Sequence, residues 1–154
     1  MRYKNLILIS LLFLSGCAKK EDLTLLQKAE QEYQSRNLKT AIEIYNHFVQ
    51  TYPKSAKAPE ILFKLAQIHY SELQLPKEAV KFLEQIIQNY PDSKEAMNAL
   101  FLLGFIYANE IKDYTKAKEY YQTFLEKYPN SELSTSAKFE LENLGKEPEN
   151  IIAK

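Results

Sequence analysis

Cysteine and histidine, the residues most used for nucleophilic and metal chemistry, are scarce in this sequence. Among 154 residues there is one cysteine, Cys17, and there are two histidines, His47 and His69. A lone cysteine excludes an intramolecular disulfide and a thiolate metal cluster within the chain. The histidines fall on segments of different type, and neither has an Asp, Glu or Cys partner at metal-ligand spacing. The sequence holds no Gly-rich phosphate loop, no nucleophile elbow and no His-Glu-x-x-His pattern, so no residue is assigned a catalytic or metal-binding role. What remains is the nucleophilic sulfur of Cys17. Arg2 and Lys4 precede an apolar run from Leu6 to Leu14, and Ser15 and Gly16 then lead into Cys17. A charged start, a short apolar stretch and small residues before a cut site are the parts of a signal peptide. The run is well short of the ~20 residues of a membrane-spanning helix.

Leu14-Ser15-Gly16-Cys17 resembles the lipobox of bacterial lipoproteins. The resemblance implies cleavage before Cys17, a diacylglycerol on its sulfur and an acyl chain on the new amino terminus. Ser15 and Gly16 are small enough for a protease subsite that cannot hold bulk. Two or three acyl chains, each CH₂ contributing about 0.8 kcal/mol on burial, hold a protein on a membrane where one chain binds it reversibly. Residue 18 is Ala, not Asp, and under the Gram-negative sorting rule this implies the outer membrane, with the protein facing the periplasm of the bacterial cell envelope. Residues 1–16 are thus read as the signal peptide and 17–21 as the lipidated cysteine and a linker. Apart from this covalent lipid no cofactor is expected.

The remainder of the chain has the composition of a helical domain. Gly16, Gly104 and Gly145 are its three glycines, while apolar, Lys, Glu and Gln residues abound, which favours helices over turn-rich sheet. The length suits one domain with its own core. Twenty basic residues balance twenty acidic ones, so no broad field would draw the chain to nucleic acid. Loss of residues 1–16 removes Arg2 and Lys4 and leaves the mature chain faintly acidic.

Three stretches share one pattern: KTAIEIYNHFVQTYPKS at 39–55, KEAVKFLEQIIQNYPDS at 77–93 and TKAKEYYQTFLEKYPNS at 115–131 align without a gap at a period of 38. From Ala41, Ala79 and Ala117 the apolar positions follow at offsets 3, 4, 7, 8 and 11, one stripe of a helix. Each stretch ends in Tyr-Pro, and proline both lacks a donor and drives the residue before it out of helical dihedrals. Helices should therefore stop near Tyr52, Tyr90 and Tyr128. Ser55, Ser93 and Ser131, with Asp92 and Asn130 beside two of them, offer N-caps for the next helix, and Asp92 with Glu95 fits a capping box. Pro59 in a first turn puts one helix start near Ala58. Between the stretches, Ile61, Leu62, Leu65, Ala66 and His69 match Ala99, Leu100, Leu103, Gly104 and Tyr107; Leu23, Leu26 and Ala29 begin this second series, and Ala137 and Leu141 end it. The expected helices are 22–36, 38–51, 57–72, 76–89, 93–109, 113–127 and 131–144, with Gly145 as a stop and 146–154 as a polar tail. His69, at the repeat position of Tyr107, reads as a structural histidine, and His47 as half exposed.

Over residues 22–145 this arrangement resembles the tetratricopeptide repeat. Leu103-Gly104-Phe105-Ile106-Tyr107 stands where that family has Leu-Gly-x-x-Tyr, Ala41, Ala79 and Ala117 stand for its second-helix alanine, and Pro53, Pro91 and Pro129 for its closing proline. The resemblance implies an all-α fold: a right-handed α-solenoid of three helix–turn–helix repeats with a C-terminal capping helix. The period is 38 rather than 34, and Lys28 replaces the leucine before the small residue of the first repeat. Phe63, Phe101 and Phe139 recur at the period in a position that, in that family, looks into a concave groove. Leu26, Tyr33, Gln67, Tyr70, Phe105 and Asn109 would share its wall. The same spacing fits aromatics packed between neighbouring first helices, so groove and core both stay open.

The Tyr-Pro-x-Ser signature is similar to that of bacterial envelope repeat proteins, including the lipoprotein subunit of the outer-membrane β-barrel assembly machine and the repeat domain of the Tol-Pal cell-division coordinator. About three repeats stand here where the former has about five, and a lipid anchor replaces the N-terminal coiled coil of the latter. The resemblance implies a lipid-anchored, non-catalytic adaptor for an envelope protein or peptide, in outer-membrane assembly or envelope organisation. A pilotin-like escort of a secretin or pilus subunit is an alternative, as is a periplasmic module for a small amphipathic ligand. A closed pocket lined by Phe and Tyr fits the last of these, and an open groove fits an adaptor.

Overall fold

The computed structural model describes residues 23–146; the expected signal peptide, Cys17 and its linker, and residues 147–154 lie outside the described residues. Every regular element among the described residues is helical. Helix α1 covers 23–34, α2 Leu38–Thr51, α3 Ala58–Gln67, α4 Pro76–Asn89, α5 Lys94–Ile106, α6 Tyr114–Lys127 and α7 Ser134–Glu142. Helices α3 and α5 each run on into a π turn, Ile68–Glu72 and Tyr107–Ile111. This is the all-α, tetratricopeptide-like layout expected from the sequence, and α2 and α4 fall on the expected bounds.

One turn recurs where the sequence places Tyr-Pro. Tyr52, Tyr90 and Tyr128 leave the helix at φ −122°, −136° and −129° with ψ near 53°. Three residues on, the amides of Ser55, Ser93 and Ser131 donate back to the three tyrosine carbonyls at 2.9–3.1 Å. The serines then differ. Ser93 caps α5, its Oγ accepting from the Ala96 amide at 3.1 Å, so the cap falls to Ser93 and not to Asp92, which is exposed. Ser55 and Ser131 instead accept from residues two further on, Lys57 and Leu133. Such a local turn competes with a helical start, and α3 and α7 begin three residues after each serine.

A second turn recurs inside each repeat. Arg36, Gln74 and Lys112, spaced by 38, have φ of 64°, 54° and 63°. They sit in the left-handed region without being glycine, at a cost of about 1–2 kcal/mol each. The second-helix alanine follows the buried small residue of the first helix by 12 positions in the pair Ala29 and Ala41, but by 13 in Ala66 and Ala79 and in Gly104 and Ala117. The two longer connections are the ones that carry π turns, which take up the additional residue.

The described residues divide into two compact units, with the boundary between residues 58 and 59. In the first, Ala29 of α1 and Ala41, Tyr45 and Phe48 of α2 are buried, and the Tyr45 hydroxyl donates to Glu30 at 2.9 Å. In the second, α4, α5, α6 and α7 pack in chain order. Leu65, Ile68, Leu83, Ile86, Leu103, Ile106, Tyr121 and Phe124 are fully buried there. Gly104 lets α6 approach α5: a Cβ on it would lie 2.7 Å from the Tyr121 ring. Ala137 of α7, with Leu141 and Leu144 beyond it, covers Leu100, Tyr121 and Phe124. The last helix therefore caps the core of this unit, as a terminal repeat element must.

Candidate functional site

The nine residues expected to line a groove are all half-buried or exposed. In the first unit, Leu26 and Tyr33 lie half-buried on α1. In the second, Phe63 is half-buried and Gln67 exposed on α3, and the Tyr70 hydroxyl in the π turn donates to Glu110 at 3.1 Å, tying the end of α3 to the end of α5. Phe101 and Phe105 are half-buried on α5. Asn109 is exposed and spends its amide on the Phe105 carbonyl. Phe101 meets both Tyr121 and Phe124 edge-on at 5.8 Å, so one side of its ring belongs to the core while the ring keeps a solvent-facing part. Phe139 on α7 is 52% exposed.

Two of the nine, Asn109 and Phe139, meet at a cleft of about 310 Å³ near the C-terminal end of the second unit. Its other walls come from residues that sequence periodicity did not mark: Ala108, Lys112, Tyr114, Glu140, Asn143, Leu144, Gly145 and Lys146. Gly145, at φ 74°, turns the chain after α7 and sets its backbone against the Tyr114 ring, where a Cβ would sit 3.5 Å away. Tyr114 occupies the position of Leu38 and Pro76 in the earlier repeats, and that replacement is the signal in the sequence that could have drawn attention to it.

Elsewhere in the second unit a cluster of polar groups around Glu84 is mutually satisfied. Glu84 of α4 accepts from the Tyr107 and Tyr120 hydroxyls at 3.2 and 3.0 Å, and the two rings stack at 5.5 Å. Lys116 donates to the Tyr107 hydroxyl at 3.3 Å and lies 4.9 Å from that ring. Burial, with Glu84 beside it, pushes the Tyr120 phenol above its usual range; burial does the same to Tyr107, and the bond to Tyr107 raises Lys116. This arrangement clamps α4, α5 and α6 together. His69 is structural as expected, its Nδ1–H donating to the Leu65 carbonyl at 2.8 Å and its ring 5.0 Å from Phe82, while His47 is exposed. Among the described residues one buried side-chain polar group has no partner, the Tyr121 hydroxyl.

No group of three His, Cys, Asp or Glu residues among the described residues could hold a metal ion, and no described helix is long and apolar enough to cross a membrane. A comparison with curated proteins finds no match. A family model described as an outer membrane lipoprotein, YfiO, matches residues 18–148. The match begins at the residue after Cys17 and takes in all seven helices. The chain therefore belongs to the YfiO family of outer membrane lipoproteins.

Proposed function

We propose that the protein is an adaptor held on the outer membrane by acyl chains on Cys17, facing the periplasm, and that it binds an envelope protein or peptide on the face formed by α3, α5 and α7, in outer-membrane assembly or envelope organisation. Membership of an outer membrane lipoprotein family supports the location. The observation that carries the binding role is the incomplete burial of a periodic aromatic series: Phe63, Phe101 and Phe139 recur every 38 residues, yet none is closed into the core. Aromatic side chains left partly wet at fixed spacing on a rigid scaffold make binding anchors, because a partner gains their remaining burial without ordering new structure. The cleft of the second unit favours an adaptor over a small-ligand module, since Phe139 and Tyr114, its two aromatics, remain open to solvent instead of enclosing a chamber.

The test is capture of partners by the lipidated protein in mild detergent, followed by mass spectrometry and affinity measurement with two variants. Phe101→Ser should weaken the captured partner about 30-fold, the effect of a central aromatic anchor worth about 2 kcal/mol. Its effect on stability should be about 1–2 kcal/mol, because the ring is shared between core and surface. Leu103→Ala, fully buried two residues on, should cost about 2–5 kcal/mol. Undiminished capture by Phe101→Ser would sink the proposal.

A further inference from the structure

The cleft at the end of α7 differs from the rest of the chain in charge. Overall the sequence balances acids and bases, but the lining of this cleft of about 310 Å³ includes two lysines, Lys112 and Lys146, and a single carboxylate, Glu140, with the Lys146 ammonium donating to Asn143 at 3.4 Å. Lys112 is held at this wall by its left-handed backbone, which fixes where its side chain starts. Tyr114 and Phe139, 44% and 52% exposed, add two aromatic rings to a lining that is otherwise largely polar. Tyr114 is braced from behind by Gly145. A space of this size lies at the small end of ligand pockets. It suits one anchoring side chain of a peptide and not a folded domain.

We propose that this cleft takes an acidic peptide segment of a partner protein, with one aromatic side chain seated between Tyr114 and Phe139 and its flanking carboxylates on Lys112 and Lys146. The proposal rests on the adaptor reading and names the partner chemistry at one end of the same face. Two like charges in one small, largely polar cleft select by charge more than by area, since a basic peptide would meet repulsion there. Binding through these exposed pairs should weaken as salt rises.

The probe is a fluorescein-labelled peptide with two glutamates on either side of one phenylalanine and both termini blocked. Its counterpart carries lysines in place of the glutamates. Fluorescence anisotropy with the full-length lipidated protein should show the acidic peptide binding at least tenfold tighter than the basic one. Phe139→Ser should cost at least tenfold, as should Lys112→Glu combined with Lys146→Glu. Both sets of changes lie at exposed positions and should leave the helical circular dichroism unchanged. Equal binding of the two peptides, or binding indifferent to both variants, overturns the proposal. Tighter binding after removal of residues 147–154 overturns it too, because the chain's own tail would then be the occupant, and self-association abolished by Phe139→Ser would assign the cleft to a second copy. If the peptide fails while captured partners still depend on Phe101, the cleft assignment falls and the adaptor reading stands.

Discussion

Tyr45 and Tyr121 occupy the same repeat position, two periods apart, and both are closed from solvent. Their hydroxyls meet opposite circumstances. Tyr45 donates to Glu30, the residue that follows the small Ala29 of its first helix. In the third repeat the residue following Gly104 is Phe105, which offers no acceptor, and the Tyr121 hydroxyl is left unpaired. A buried hydroxyl without a partner costs about 1–3 kcal/mol, whereas a made bond contributes about 0.5–1.5, more when one partner is charged. Tyr121→Phe should therefore stabilise the protein by about 1–2 kcal/mol, since it removes the stranded group and keeps the ring that fills the space over Gly104. Tyr45→Phe should destabilise by a similar amount, with Glu30 keeping its bond from Gln34. Urea denaturation followed by circular dichroism reads both: with a slope of about 2 kcal/mol per molar, the midpoints should move by about 0.5–1 M in opposite directions. A shift of both variants to lower urea would show that the Tyr121 hydroxyl is satisfied and would refute the reasoning.

Four further outcomes are expected. Gly104→Ala should destabilise by about 1–3 kcal/mol, because the new methyl would stand under 3 Å from a ring that is itself fully buried; a higher melting temperature, reflecting helix propensity alone, would contradict this. Gln74→Gly should stabilise by about 0.5–1 kcal/mol by relieving a left-handed backbone, net of the glycine's added freedom in the unfolded chain, and thermal melts would expose a loss instead. Burial raises the phenol pKa of Tyr45, Tyr120 and Tyr121 above the unfolded value of about 10, so the folded state keeps protons that the unfolded chain releases. Stability is then full below that pH and falls above it by about 1.4 kcal/mol per pH unit for each group, and a melting temperature level from pH 9 to 11.5 would count against it. Cys17→Ser should abolish labelling by a fatty-acid analogue and release the protein from the membrane fraction, whereas equal labelling would remove the lipid anchor from the proposal.

Periodicity made the helices legible because their boundaries follow from residues whose physics is local. Proline after tyrosine ended α2, α4 and α6 within a residue of expectation. The turns inside the repeats were not legible: Arg36, Gln74 and Lys112 adopt left-handed dihedrals with none of the Gly or Asn chemistry that signals them. Nor were the π turns, although the 12-residue spacing of Ala29–Ala41 against 13 in the later repeats recorded the additional residue. The expected start of α7 at 131 fell three residues early because serine can close a turn as readily as it can cap a helix, and only the packed chain decides between them.

The cleft was less legible still, for a reason of geometry. A groove along one face is written as a period, so Phe63, Phe101 and Phe139 could be found by counting. The cleft is assembled where the period stops: α7 ends at Glu142, Gly145 reverses the chain, and Lys146 is brought beside Lys112 and Tyr114 from more than thirty residues earlier. In a repeat fold each interior surface is covered by the next copy. Among the described residues no further repeat follows α7, and Tyr114 and Phe139 at this end stay exposed. Tyr114 departs from the Leu38 and Pro76 of the earlier repeats, whereas Lys112 keeps the left-handed turn position of Arg36 and Gln74. For a chain built from one repeated unit, an exposed position that leaves the repeat, as Tyr114 does, is therefore where a partner can be selected without disturbing the core.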